Sequence, residues 1–256
     1  MKNYIRHDEW KIIEEGFHAE YNEVTESLMS LGNGRMGQRG NFEETFSGHS
    51  LQGNYVAGVW FPDKTRVGWW KNGYPDYFAK VINAANWVGI EVKIGDVIVD
   101  LAKSKIEHFY RELDMKTGDL SRDTTIEIED GKRLRIQSSR FCSMAHDEAG
   151  VIKYQVTPLN FSGEITFKPF IDGDISNRDS NHGEKFWEEI DKETLFAEAN
   201  LTLQTKKSPW ASVPQFQVCT GMKFTVSKND KDLSFSSLPI KLEKYVACET
   251  KISVTE

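Results

Sequence analysis

The chain has 256 residues, a formal net charge of -7 and 12% aromatic residues, with seven tryptophans. That length supports one large all-β domain or two small domains with a sizeable buried core. It carries no basic stripe for a phosphate backbone and no run near the ~20 apolar residues that span a bilayer, which argues against nucleic acid and membrane partners.

Residues 1–17 are charged and lack an apolar segment, which reads as no secretory signal. Residues 10–17 (WKIIEEGF) predict a first strand. The stretch 26–44 organises the rest of the chain. Its glycines, Gly32, Gly34, Gly37 and Gly40, alternate with Arg35 and Arg39, and Glu43 and Glu44 close it. Gly and Asn accept positive φ, so Leu31-Gly32-Asn33-Gly34 predicts a tight turn between short extended runs. Gly32, Gly34 and Gly37 also spell G-x-G-x-x-G. That signature binds phosphate only between a strand and a helix, and the next residues, Gln38-Arg39-Gly40-Asn41, open no helix.

Residues 54–61 predict one strand, rich in β-branched and aromatic residues and ended by Pro62-Asp63. Residues 63–86 have no clean period and are rich in Trp, Tyr, Gly and Pro. A loop this long in a compact domain is usually functional or covers a partner. Trp69, Trp70, Lys71, Tyr74 and Tyr77 are therefore the candidate substrate-binding or interface residues, with rings suited to a sugar face or a second protein surface. The alternative is that these rings pack on their own domain.

Residues 87–101 predict a hairpin about Gly95-Asp96, and 105–115 a further strand. Residues 120–144 predict a strong hairpin about Asp130-Gly131. Two more strands come at 150–156 and 163–171. The polar stretch 172–193 predicts a long loop with one helical turn at 185–190. Residues 194–205, 215–226 and 240–254 alternate as strands. About a dozen strands and no helix of three turns predict an all-β fold, a large antiparallel β-sandwich of two sheets. Residues 251–256 still alternate, so the chain is expected to be cut from a longer protein.

Cys142, Cys219 and Cys248 form no disulfide framework and read as reduced, mostly buried thiols of a cytoplasmic protein. The histidines, His7, His18, His49, His108, His146 and His182, show no metal spacing, so no metal is expected; His146 beside Asp147 is a lone candidate. Arg35 and Arg39 read as partners of Glu43 and Glu44 more than as phosphate ligands. Neighbours in a strand point to opposite faces, so neither Glu43-Glu44 nor Glu188-Glu189 predicts an acid/base couple. Asp172 and Asp174 read as turn residues.

Several motifs in one order resemble glycoside hydrolase family 65, N-terminal domain. They are Glu26-Ser27-Leu28 through Arg39-Gly40-Asn41-Phe42-Glu43-Glu44, Tyr55-Val56-Ala57-Gly58-Val59, Ser139-Arg140-Phe141, the run from Tyr154-Gln155-Val156 to Phe161-Ser162-Gly163, and Ile171-Asp172-Gly173. The resemblance runs from about residue 10 to the C-terminus. The family includes maltose, kojibiose, nigerose and trehalose phosphorylases and trehalose hydrolases, and residues 62–80 are most similar to its maltose phosphorylases.

The resemblance implies a galactose mutarotase-like supersandwich as a single N-terminal domain. It implies that a helical linker and an (α/α)6 barrel come next, and that the barrel carries the catalytic glutamate and the phosphate site. Nothing in this sequence matches the barrel, so no catalytic residue is assigned. The implied reaction is inverting phosphorolysis of an α-linked glucose disaccharide, in which phosphate attacks the anomeric carbon while one carboxylic acid protonates the leaving oxygen. Inorganic phosphate is then the co-substrate, no other cofactor is needed, and the implied partners are the chain's own barrel and a second copy in a homodimer. The alternatives are a stand-alone carbohydrate-binding sandwich, a sugar mutarotase, or another activity of the same family.

Overall fold

A computed structural model describes residues 4–64, 73, 75–178, 183–208, 210 and 212–255. The chain opens with strands β1 (Ile5–His7) and β2 (Lys11–Glu15), then a 3-10 turn (Ala19–Tyr21) and helix α1 (Asn22–Leu28). Strands β3 (Leu31–Gly32), β4 (Met36–Gln38) and β5 (Asn54–Val56) form a small sheet, and β6 (Trp60–Lys64) pairs with β7 (Tyr77–Val81). Then come β8 (Ile90–Ile94), β9 (Val97–Ile98), β10 (Lys105–Asp114), β11 (Asp119–Glu127), β12 (Arg133–Cys142), β13 (Gly150–Pro158) and β14 (Gly163–Asp172). The last third supplies β15 (Trp187–Leu195), β16 (Glu198–Thr205), β17 (Gln217–Lys223), β18 (Ser227–Lys228), β19 (Lys231–Asp232), β20 (Leu238–Leu242) and β21 (Tyr245–Val254).

All named strand pairs are antiparallel. One sheet runs β1-β2-β10-β11-β12-β13 and a second runs β20-β21-β14-β8-β9. Period-two alternation explains their packing. Ile126 of β11 and Leu134 and Ile136 of β12 face Val92, Ile94 and Ile165 of the second sheet in one dry core. A second core joins Ile171, Val246 and Cys248 to Trp187, Leu201 and Leu203 of the three-stranded sheet β15-β16-β17. The fold is the expected large antiparallel sandwich.

The Gly-rich stretch turns as its residues require. Gly34 takes φ +87°, and the Asn33 Oδ1 accepts the amides of Arg35 and Met36 at 3.0 and 2.9 Å. Gly40 lies against α1, where an added Cβ would stand 3.1 Å from the Met29 carbonyl oxygen.

Four expectations about the elements fail. Residues 77–81 of the expected loop 63–86 form β7, paired with β6. Residues 54–61 are two strands, because Gly58 at φ +80° turns the chain between β5 and β6. β6 then runs through Pro62 and Asp63, since a two-stranded ribbon leaves the missing proline donor on a free edge. Within the expected loop 172–193, residues 187–193 belong to β15, and no helical turn forms at 185–190. An edge strand with a solvated face reads as polar, and a register shift between Glu189 and Asp191 breaks its alternation.

Candidate functional site

Trp69, Trp70, Lys71 and Tyr74 lie outside the described residues. Tyr77 lies within them, opposite Lys64 at the connected end of the β6–β7 ribbon. Its ring meets Trp210 edge-on, with centroids 4.1 Å apart. Trp60 lies 6.0 Å from Phe216 further along the same ribbon. Phe78 and Val81 remain exposed. The structure thus adds Trp210 to the aromatic candidates; the sequence offers no signal for it, since its partner is 133 positions away (210 − 77).

The charged residues of the Gly-rich stretch do something else. Glu43 and Glu44 do not pair with Arg35 or Arg39, and they do not point apart. The backbone bends at both residues, which lets both carboxylates reach one guanidinium. Arg122 donates to the two Glu44 oxygens at 2.5 Å each and to Glu43 at 3.1 Å. Arg140 donates to Glu43 at 2.8 Å and to the Arg39 carbonyl at 3.0 Å. Arg111 donates to Glu14 at 2.7 Å and to the Gly40 carbonyl at 3.1 Å. Tyr154 donates to Glu44 at 3.1 Å. The Arg111 and Arg122 guanidinium carbons stand 4.8 and 5.1 Å from the Phe42 ring centre. Arg39 instead donates to the Glu23 carbonyl at 2.8 Å.

These ions clamp the stretch and α1 to the first sheet. Burial alone would raise the Glu43 carboxyl, but Arg140 and Arg122 outweigh it and hold the group below its ordinary 4.5. The same carboxylates outweigh burial at Arg122 and hold it firmly cationic. With its folded pKa depressed, Glu43 contributes stability that is present above the unfolded value and lost as pH falls through the folded one. Urea midpoints are therefore expected to fall as pH drops below the ordinary glutamate value of 4.5, and less steeply in Glu43→Gln. Equal slopes in the two proteins would remove Glu43 from this account.

The solvent face of the first sheet carries a depression of ≈ 410 Å³ lined by Tyr110, Ser121, Asp123, Gln137, Lys153 and Gln155 among others. Asp123 lines it and Glu112 accepts from its Tyr110, and both carboxylates are occupied. Asp123 accepts from both Arg135 nitrogens and from Gln137 at 3.3 Å. The Arg135 hydrogen bond holds the Asp123 carboxyl below its ordinary range, with His108 adding to the effect. Glu112 takes the Tyr110 hydroxyl and the Lys11 ammonium. Neither carboxylate is a free base.

Among the described residues, no three of His, Cys, Asp and Glu gather as metal ligands. Cys142 and Cys248 are buried and Cys219 is exposed, all as free thiols.

The sequence matches the family model "Glycosyl hydrolase family 65, N-terminal domain" over residues 12–256. It is 44% identical over 247 residues to the maltose phosphorylase of Bacillus subtilis, which covers 96% of this chain and 32% of that protein. It is 33% identical over 177 residues to the kojibiose phosphorylase of Thermoanaerobacter brockii, covering 69% of this chain and 21% of the relative. The α,α-trehalose phosphorylase of the same organism is 32% identical over 216 residues, covering 78% and 27%. A solved structure of a putative kojibiose phosphorylase from the human microbiome superposes with a TM-score of 0.81 at 25% identity, covering 99% of this chain and 31% of that one. The chain thus spans less than a third of the length of the proteins it matches.

Proposed function

Because the chain belongs to glycosyl hydrolase family 65, we propose that it is the non-catalytic N-terminal β-sandwich of a larger disaccharide phosphorylase acting on maltose. The larger protein would use inorganic phosphate and release β-glucose 1-phosphate with inversion. The observation that carries this reading is the match over two thirds or more of the chain to under a third of each of several phosphorylases. The occupied carboxylates of the first sheet support it. An inverting mechanism needs a free acid of raised pKa, and Glu43, Glu44, Glu112 and Asp123 are each held by cations.

In this reading Trp69, Trp70, Lys71, Tyr74 and Tyr77 serve the sugar site or the contact with a neighbouring domain or subunit. The protein works in the cytoplasm as a homodimer. A sugar mutarotase is supported less, since His108 acts beside an Asp123 that Arg135 already neutralises.

Incubating the 256-residue chain with maltose and inorganic phosphate tests the proposal. No β-glucose 1-phosphate is expected, whereas the product of the whole reading frame is expected to form it. Phosphorolysis by this chain alone, or hydrolysis without phosphate by the longer protein, would overturn the reading.

A further inference from the structure

The first core opens into a cavity of ≈ 660 Å³ whose apolar wall includes Phe17, Phe46, Leu101 and Ile106. That volume is in the range of small-molecule sites, roughly 300–1,000 Å³. Glu20 and His49, both exposed, are the ionisable side chains on the cavity, and neither side chain has a partner among the described residues.

Two buried carboxylates fix the cavity's loops. Glu26 accepts the Asn22 amide at 2.9 Å, the Ser50 hydroxyl at 2.6 Å and the Leu51 amide at 2.9 Å. Asn22 also donates to the His49 carbonyl at 3.1 Å, which ties the segment bearing His49 to the one bearing Glu20. On the other side, Asp100 accepts the amides of Ser47 and Ala102 at 3.0 Å each. Between these anchors the Phe46 ring folds over Gly48, where a Cβ would stand 2.4 Å from the ring.

We propose that this cavity binds a hexose unit, with the apolar ring face on Phe46 and the hydroxyls on Glu20 and His49. The chemistry selects the ligand class. Aromatic walls favour a molecule with an apolar face, and an unpaired carboxylate and an unpaired imidazole on the same cavity favour neutral hydroxyls that both donate and accept. A purely apolar ligand would leave both polar side chains unused, and an anion would be repelled by Glu20. The inference deepens the reading above, which supplies maltose as the probe, but it stands on the cavity. Its failure would leave phosphorolysis by the longer protein untouched.

The test is titration of the 256-residue chain with maltose, read from the His49 imidazole resonances, with the acyclic polyol sorbitol as control. Maltose is expected to shift them and sorbitol is not. Glu20→Gln, on an exposed side chain, is expected to weaken binding about tenfold. Gly48→Ala is expected to turn the Phe46 ring aside and weaken binding while the remaining resonances stay in place. Shifts absent with maltose, equal shifts with sorbitol, or an affinity unchanged in both variants would overturn the proposal.

Discussion

Arg122→Leu is expected to lower the unfolding free energy by about 3–5 kcal/mol. The guanidinium is buried and answers two carboxylates that are themselves 5% and 4% exposed. Among the described residues, removing it leaves Glu44 with the Tyr154 hydroxyl and Glu43 with Arg140 as its one basic side chain. Either a buried charge remains or a proton must be taken up. A urea titration measures the loss. The double variant Arg122→Leu, Glu44→Leu separates pairing from packing, because it removes both partners and is expected to recover most of the stability. A loss under about 1 kcal/mol in the single variant would mean that water reaches the cluster.

Trp187→Ala is expected to cost about 3–5 kcal/mol for a different reason. The indole is 2% exposed in the second core, between the three-stranded sheet and β21. Its Nε1 also donates to the Asn83 carbonyl at 2.6 Å. Trp187→Phe keeps most of the apolar volume and strands that carbonyl, so about 1–3 kcal/mol is expected. The two variants together divide cavity from hydrogen bond. Equal losses would show that packing contributes little here.

Much of this architecture is legible in sequence because its signals are local. Asp130-Gly131 between alternating runs and the turn at Asn33-Gly34 are decided by residues that touch one another along the chain. The elements that escape a sequence reading are governed by distant partners. Helix α1 is one, because its buried residues are Asn22, Thr25 and Glu26, while Val24 and Leu28 face water. A hydrophobic period has nothing to detect there. β15 reads as a loop because its inward anchor is one tryptophan at its first residue. Proximity in sequence gives Glu43 and Glu44 the nearest arginines, and the structure gives them Arg122 and Arg140, 78 and 97 positions further along. Of the aromatic candidates, only Tyr77 lies among the described residues, and its neighbour Trp210 comes from the other end of the chain.

The long separation inside the clamp has a consequence for biosynthesis. Glu14 meets Arg111 across 97 positions, and Glu43 meets Arg140 across the same span. As the ribosome releases the polypeptide, the N-terminal segment emerges long before either arginine exists. Its docking face mixes Phe17 and Phe42 of the first core with Glu14, Glu43 and Glu44, which stay hydrated while they wait. An apolar surface met by chance cannot satisfy those carboxylates, so the ionic lock closes only when the segment's own sheet arrives.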